Sequence, residues 1–411
     1  MVRLFGVFSV IGRKLINTWR IKLAVTRDVK IQSAWQVHER GDVSVKQYSK
    51  WMADSVIARK TDLTSYWAYE FGLTLDGIAE VWRQTGEQKY FDYVKECMDT
   101  FVNEDGTIRG YDVKEYNIDH LNNGKILLTI YQATHEEKYK KALDLLRSQI
   151  EHHPRTKEGV FWHKEIYPEQ IWLDGLYMGA TFYAKYVSEF TKDSKEYDDI
   201  AKQFIIARKH TLDPKTGLLY HAYDDARQQP WADKVTGLSK HFWSRSMGWY
   251  CMALVDTLAE LPDDNQYKPE IIKILNETME ALLKVASPAS HVWYQVLDCG
   301  DRKGNYVEAS GSSMIAYALF KGVRMGWLPE NMREFAKKSY QGLIDEFITE
   351  TPIGTICLNK ICFVAGLGGK PTKAYGERDG SFAYYISEPI VTNEPKGLGP
   401  FILAAAEYER L

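Results

Sequence analysis

Three stretches decide the fold: TGEQKYFDYV (Thr85 to Val94), THEEKYKKAL (Thr134 to Leu143) and TKDSKEYDDI (Thr191 to Ile200). Each opens with Thr, runs through a short polar turn and places a Tyr at the start of an amphipathic helix. Looser copies follow at DDNQYKPEII (Asp263 to Ile272) and NMREFAKKSY (Asn331 to Tyr340). One aromatic therefore anchors each second helix: Tyr90, Tyr139, Tyr197, Tyr267 and Phe335. Apolar residues recur with helical period, as in Phe91, Val94, Met98, Phe101 and Val102, or Tyr139, Ala142, Leu143, Leu146 and Ile150. The anchors are 49, 58, 70 and 68 residues apart, too long and too uneven for a short solenoid repeat. The excess length falls in Gly- and aromatic-rich segments between one pair and the next. Long connections returning to one side of a ring of helix pairs would build a cavity. The pattern predicts an all-α toroid over residues 31–411. A sixth pair would come from about Ile31 to Lys60 with the terminal run Gly399 to Arg410, and residues 1–30 form a segment of uncertain role. An open helical solenoid that only binds partners would need a continuous exposed groove, and aromatic loops stand there instead.

Composition narrows the function. Of 411 residues, 52 are Lys or Arg and 55 are Asp or Glu, a net charge of −3 that removes the electrostatic footprint of a nucleic-acid binder. No apolar run approaches the roughly 20 residues of a membrane span. Thirteen Pro residues in this length favour long helices, while 54 aromatics supply a large core and candidate sugar platforms. Cys97, Cys251, Cys299, Cys357 and Cys362 are odd in number and scattered without metal-ligand spacing, which predicts buried, inert thiols. Arg3 precedes the apolar run Leu4 to Gly12, but Arg13 and Lys14 follow without a cleavage site. That reading favours a cytoplasmic enzyme; a degenerate export signal would place it in the periplasm.

Five loops hold the polar residues of interest: WAYEFGL (Trp67 to Leu73), EYNIDHLNNGK (Glu115 to Lys125), FWHKEIYPEQIWLDGLYMG (Phe161 to Gly179), Leu218 to Tyr250, and Glu377 to Pro400. Asp174 follows Trp172 and Leu173 and precedes Leu176 and Tyr177, a flank that would desolvate a carboxyl and favour its protonated form. An Asp opening a helix is equally an ordinary N-cap, stabilised as the anion by the helix dipole. Asp119, in Tyr116-Asn117-Ile118-Asp119-His120, reads by itself as a turn or cap residue. The fork of Arg245 would suit a planar carboxylate. Lys164, His163 and His221 are further candidates for substrate contacts, and Trp67, Tyr69, Trp243 and Trp249 offer faces for sugar rings, although about half of such aromatics are simply core. His152 and His153, adjacent in a polar stretch, are expected at the surface.

The chain resembles the unsaturated uronyl hydrolases of glycoside hydrolase families 105 and 88, the rhamnogalacturonyl type of family 105 more closely. The shared elements are W-x-Y at Trp67, Y-N-I-D…G-K from Tyr116, and W-H-K at Trp162 followed ten residues on by W-L-D-G-L-Y-M. Next come H-x-Y-D at His221, W-x-R-x-x-G-W at Trp243 and R-D-G-S-F-x-Y-Y-I-S-E-P from Arg378. Each alone is weak; six in order over about four-fifths of the chain are specific. The resemblance implies an (α/α)6 barrel without metal or organic cofactor. It also implies removal of a 4,5-unsaturated uronic acid from the non-reducing end of lyase-generated oligosaccharides by hydration of the C4–C5 double bond. Asp174 takes the place of the general acid and base, with Asp119 across the cavity to hold water or keep the acid protonated. A conventional inverting glycosidase, which also needs two carboxylates, a histidine-based sugar epimerase drawing on His163, His221 and His241, and a non-enzymatic carbohydrate binder are the rival readings.

Overall fold

The Thr that opens each quoted stretch ends one helix and prepares the next. In the computed structural model, which describes residues 46–369 and 376–411, the residue after each Thr is left-handed: Gly86 (φ 70°), His135 (φ 55°) and Lys192 (φ 52°). Their amides close the preceding helix on Trp82, Tyr131 and Val187 carbonyls at 2.7–2.8 Å. Thr85 and Thr134 then accept from the amides of Glu87 and Glu136 through their hydroxyls, at 3.2 and 3.3 Å. Three helical hairpins thus share the left-handed turn and two of them the Thr hydroxyl contact, with Gly needed in neither the second nor the third.

The anchoring aromatics lie where the periodicity puts them. Tyr90, Tyr139 and Tyr197 are buried in the first turn of Gln88–Asp99, Glu137–His152 and Ser194–Thr211. Tyr90 donates to Asp54 at 2.8 Å and Tyr139 to Asp99 at 2.6 Å, so each hydroxyl ties its outer helix to the preceding outer helix. Tyr267 caps Lys268–Lys284 and Phe335 opens Arg333–Phe347. Their inner partners are Tyr69–Thr85, Gly124–Thr134, a run from Leu173 to Thr191, Ser244–Glu260 and Ala309–Arg324. The Leu173 run contains two π-helical turns, Leu176–Ala180 and Val187–Thr191. Inner helices are surrounded: Ser244–Glu260 is buried from Ser244 through Leu258. Outer helices are amphipathic, buried on one stripe only.

The sixth pair closes the ring. Pro395–Tyr408 packs between Tyr69–Thr85 and Ala309–Arg324, with Tyr48–Ala58 outside it. A Cβ on Gly399 would stand 2.6 Å from the Leu73 carbonyl, so glycine permits this close seam. The result is the (α/α)6 barrel, and Lys46–Leu411 form one compact unit. The expected helix from Ile31 is met by Tyr48–Ala58; Ile31 to Val45 and the 1–30 segment lie outside the described residues. No helix among the described residues is long and apolar enough to cross a membrane. Among the described residues, three two-stranded antiparallel ribbons decorate the connections. One of them pairs Gln170–Trp172 with Ala222–Asp224, setting Trp172 opposite Ala222.

Candidate active site

The N-terminal ends of three inner helices converge on one pocket, which draws lining residues from all five quoted loops. Tyr69 is the first residue of its helix, Asp174 lies in the first turn of its run, and Arg245 is the second residue of Ser244–Glu260. The pocket leaves about 180 Å³ for the centres of water-sized molecules, over ten times the ~10–15 Å³ that one ordered water requires.

Two carboxylates face this space with different partners. Asp119 sits in the 3-10 turn Ile118–Asn123, its amide held by the Asn117 side chain at 3.1 Å. Burial would raise its carboxyl, but Lys164 Nζ at 2.7 Å prevails and holds it below the usual range, with the neutral His163 Nε2 at 3.6 Å. Asp119 is therefore an anion at neutral pH. Among the described residues Asp174 makes no close ion pair with a lysine or arginine, although the charge of Lys164 reaches it from farther away. Its Oδ2 is buried without a hydrogen-bond partner and faces His221 Nε2 at 3.4 Å. The short ribbon explains the encounter: the Leu173 amide donates to the His221 carbonyl at 3.2 Å, bringing the first turn of the helix beside that imidazole.

The histidines differ as well. His221 is fully buried against Trp172, Trp243 and Tyr385, and its Nδ1 is 2.8 Å from the Tyr385 hydroxyl. Burial above all, with Asp174 adding to it, pushes that phenol far up, so Tyr385 keeps its proton. When it donates to Nδ1, the ring proton lies on Nε2, toward Asp174. His163 lies parallel to Trp172 at 4.9 Å and close under the Asp174 turn, where a Cβ on Gly175 would be 3.0 Å from its Nδ1. Burial, only partly offset by Asp119, lowers its pKa to about 4, so it is neutral.

Arg245 lines the pocket but spends its fork elsewhere. Nε donates to Ser310 Oγ at 2.7 Å, Nη1 to the Phe363 carbonyl at 3.4 Å and Nη2 to the Cys362 carbonyl, with Glu308 at 3.8 Å. Its donors hold the chain that leads to Val364, Ala365 and Gly366 on the pocket wall. Trp243 and Tyr69 line the pocket as expected, whereas two of the proposed platforms do not. Trp249 is 1% exposed and stacks on Tyr177 at 4.8 Å, behind Tyr69. Trp67 is buried against Phe101, and its Nε1 donates to the His120 carbonyl at 3.0 Å, bracing the Asp119 turn. Other members of both motifs reach the pocket; helix phase turns Trp249 into the core, and Trp67, in the loop before its helix, is drawn inward by the His120 carbonyl and Phe101. His153 likewise departs from the expected surface position: it is buried, with Nε2 2.8 Å from the Trp162 carbonyl, while His152 is exposed.

Sequence reasoning overlooked Tyr167, Met178, Val364 to Gly366 and Arg378 on the wall, and Tyr385 behind His221. Arg378 and Tyr385 lay inside the quoted R-D-G-S-F-x-Y-Y motif, where the pairing of a phenol with His221 was the missing signal. Val364 to Gly366 carry no local signal at all.

The family model described as Glycosyl Hydrolase Family 88 matches residues 43–411. A solved C. acetobutylicum glycoside hydrolase from family 105 is 65% identical, with a TM-score of 0.87, covering 89% of this chain and 100% of that one. The 24.9 kDa protein in the picA locus of Rhizobium radiobacter is 36% identical over 234 residues, 56% of this chain and 97% of its own length. The unsaturated rhamnogalacturonyl hydrolase YesR of Bacillus subtilis is 24% identical over 298 residues, 71% of this chain and 79% of that protein. With its barrel, its paired carboxylates and these matches, the chain belongs to glycosyl hydrolase family 88, the unsaturated glycuronyl hydrolases, and is a glycoside hydrolase.

Proposed function

We propose that this enzyme removes a 4,5-unsaturated galacturonic acid from the rhamnose of rhamnogalacturonan fragments, with Asp174 as general acid and base. The observation that carries this reading is the contrast between the two carboxylates. Asp119 is pinned as an anion by Lys164 and cannot deliver a proton, whereas Asp174 presents a buried oxygen without a partner. Of the two, only Asp174 has an oxygen left open toward a substrate proton. The similarity to YesR, a rhamnogalacturonyl hydrolase by name, supports the choice of sugar.

In the proposed reaction the Asp174 carboxyl gives its proton to C4 of the vinyl ether, and the positive charge spreads over C5 and the ring oxygen. Water adds to C5 and returns a proton to the Asp174 carboxylate, restoring the acid. The hemiketal at C5 opens, and the glycosidic bond is lost without attack at the anomeric carbon. These steps consume one water and route no electron pair through a metal or cofactor. Asp119, with one oxygen on Lys164, helps to hold that water. The converging helix N-termini favour the uronate carboxylate, and Trp243 and Tyr69 flank the ring.

The test follows ultraviolet absorbance of the conjugated double bond in unsaturated galacturonyl-rhamnose. Its loss with release of rhamnose supports the proposal. Turnover of the saturated disaccharide at a comparable rate overturns it in favour of direct glycosidic cleavage.

A further inference from the structure

Beside the pocket, two loops meet in a short backbone ladder. Trp243 pairs with Val296, the Leu297 amide donates to the Phe242 carbonyl at 3.0 Å, and the Ser244 amide to the Gln295 carbonyl at 3.0 Å. The ladder sets His241 opposite Asp298 and Cys299, residues 57 and more positions away in the chain. Asp298 Oδ1 lies 3.9 Å from His241 Nδ1 and 3.6 Å from Cys299 Sγ, and donor atoms of all three residues fall within 4.8 Å of one another. His241 Nδ1 is shielded from solvent and has no hydrogen-bond partner. Nothing in the proposed reaction uses these groups.

We infer that His241, Asp298 and Cys299 form a zinc site that braces the wall carrying Trp243. A tetrahedral zinc with its usual bonds, about 2.1 Å to nitrogen or oxygen and 2.3 Å to sulfur, has ligand–ligand edges of about 3.4–3.6 Å. The Asp298–Cys299 edge already has that length, the His241–Asp298 edge is about half an ångström longer, and the His241–Cys299 edge, within 4.8 Å, must close by up to about 1.2 Å. One imidazole, one carboxylate and one thiolate form a mixed donor set suited to zinc rather than to calcium or magnesium, which prefer oxygen. The carboxylate and thiolate together balance the charge of the ion, and water takes the fourth position. Burial and Asp298 push the Cys299 thiol up, against Arg302, whose guanidinium lies 3.8 Å over Phe382. Zinc removes that obstacle by replacing the thiol proton. Because the ladder continues directly into Trp243, the ion would lock one loop to the other behind the pocket. Its effect falls on the stability of that wall, and the site stands independently of which sugar is cleaved.

The experiment titrates zinc chloride, and in parallel cobalt chloride, into the full chain after dialysis against a chelator. We expect one equivalent of zinc to bind by calorimetry and to raise the unfolding temperature. Cobalt should produce a thiolate-to-metal charge-transfer band. Cys299→Ser should abolish the band, and both Cys299→Ser and His241→Ala should weaken zinc by at least about tenfold, the smaller penalty known for losing even an outer partner. Asp298→Asn, at an exposed position, provides a third variant should either of the others unfold. A parent without the charge-transfer band, or variants that bind zinc within tenfold of the parent, would overturn the site. Turnover of unsaturated disaccharide is read separately, so its failure bears on the proposed reaction and not on the metal.

Discussion

Asp174→Asn separates the chemistry from the architecture. The substitution is isosteric, and Asp174 Oδ2 has no hydrogen-bond partner and no close lysine or arginine to lose; His221 Nε2 lies 3.4 Å away. The stability change should therefore stay below about 1 kcal/mol, the range for substitutions that break no buried network. Turnover should fall by about 10²–10⁴-fold or more, because the amide can neither protonate C4 nor accept a proton from water. In barrier terms that is about 3–5 kcal/mol. Asp119→Asn is the matched control, equally isosteric but in a different place. It removes the partner 2.7 Å from Lys164, a pair whose side chains are 21% and 12% exposed. Stranding that ammonium should cost about 3–5 kcal/mol of stability. The assays are loss of double-bond absorbance for turnover, calorimetry for substrate affinity and thermal unfolding for stability. Retention by Asp174→Asn of more than about a tenth of parental kcat, less loss than any general acid should show, would refute the assignment and pass the role to Asp119. Equal destabilisation by the two variants would refute the electrostatic contrast itself.

Three further outcomes follow from the geometry. His163 is held neutral with its pKa lowered from 6.5 to about 4, so between those values the unfolded chain binds a proton that the native chain refuses. Stability must fall as pH drops through that window, and His163→Asn should flatten the fall by about 3 kcal/mol in pH-dependent denaturant melts. Arg245→Lys keeps the charge but loses the Nη donors to the Cys362 and Phe363 carbonyls; it should cost about 2 kcal/mol of stability, roughly one per bond, and raise KM as the wall at Val364 to Gly366 loosens. In Gly72→Ala the new Cβ would stand 2.0 Å from Asn123 Oδ1, at the end of the turn that carries Asp119. Overpacking there should cost about 1–3 kcal/mol, measurable by thermal unfolding.

The aromatic platforms show where legibility in the sequence ends. Trp67 and Tyr69 are two residues apart in one motif, yet Trp67 braces the His120 carbonyl while Tyr69 faces the pocket. Trp243 and Trp249 divide in the same way, with Trp249 stacked on Tyr177. Which face of a helix or loop looks inward depends on the helices on either side, and those come from distant parts of the chain. Arg245 shows the same limit for charge. A guanidinium in a motif announces a planar fork, but its acceptors are Ser310 and two carbonyls more than a hundred residues onward.

Hairpin turns and amphipathic stripes rest on residues within a few positions of each other, which is why the Thr-led turns, the buried Tyr anchors and the toroid of pairs could be read directly. The positions of Asp119 and Asp174 were legible because their motifs carry them. Their different partners were not. Asp119 owes its charge to Lys164, 45 residues on, and Asp174 meets His221 through a three-residue ribbon. The phenol on that imidazole comes from 164 residues away. Local sequence determines where helices start and stop, because backbone hydrogen bonds and side-chain phase are satisfied within a turn. Tertiary structure alone decides which carboxylate is paired and which is left open, because Coulomb and desolvation energies depend on distance through space and not along the chain.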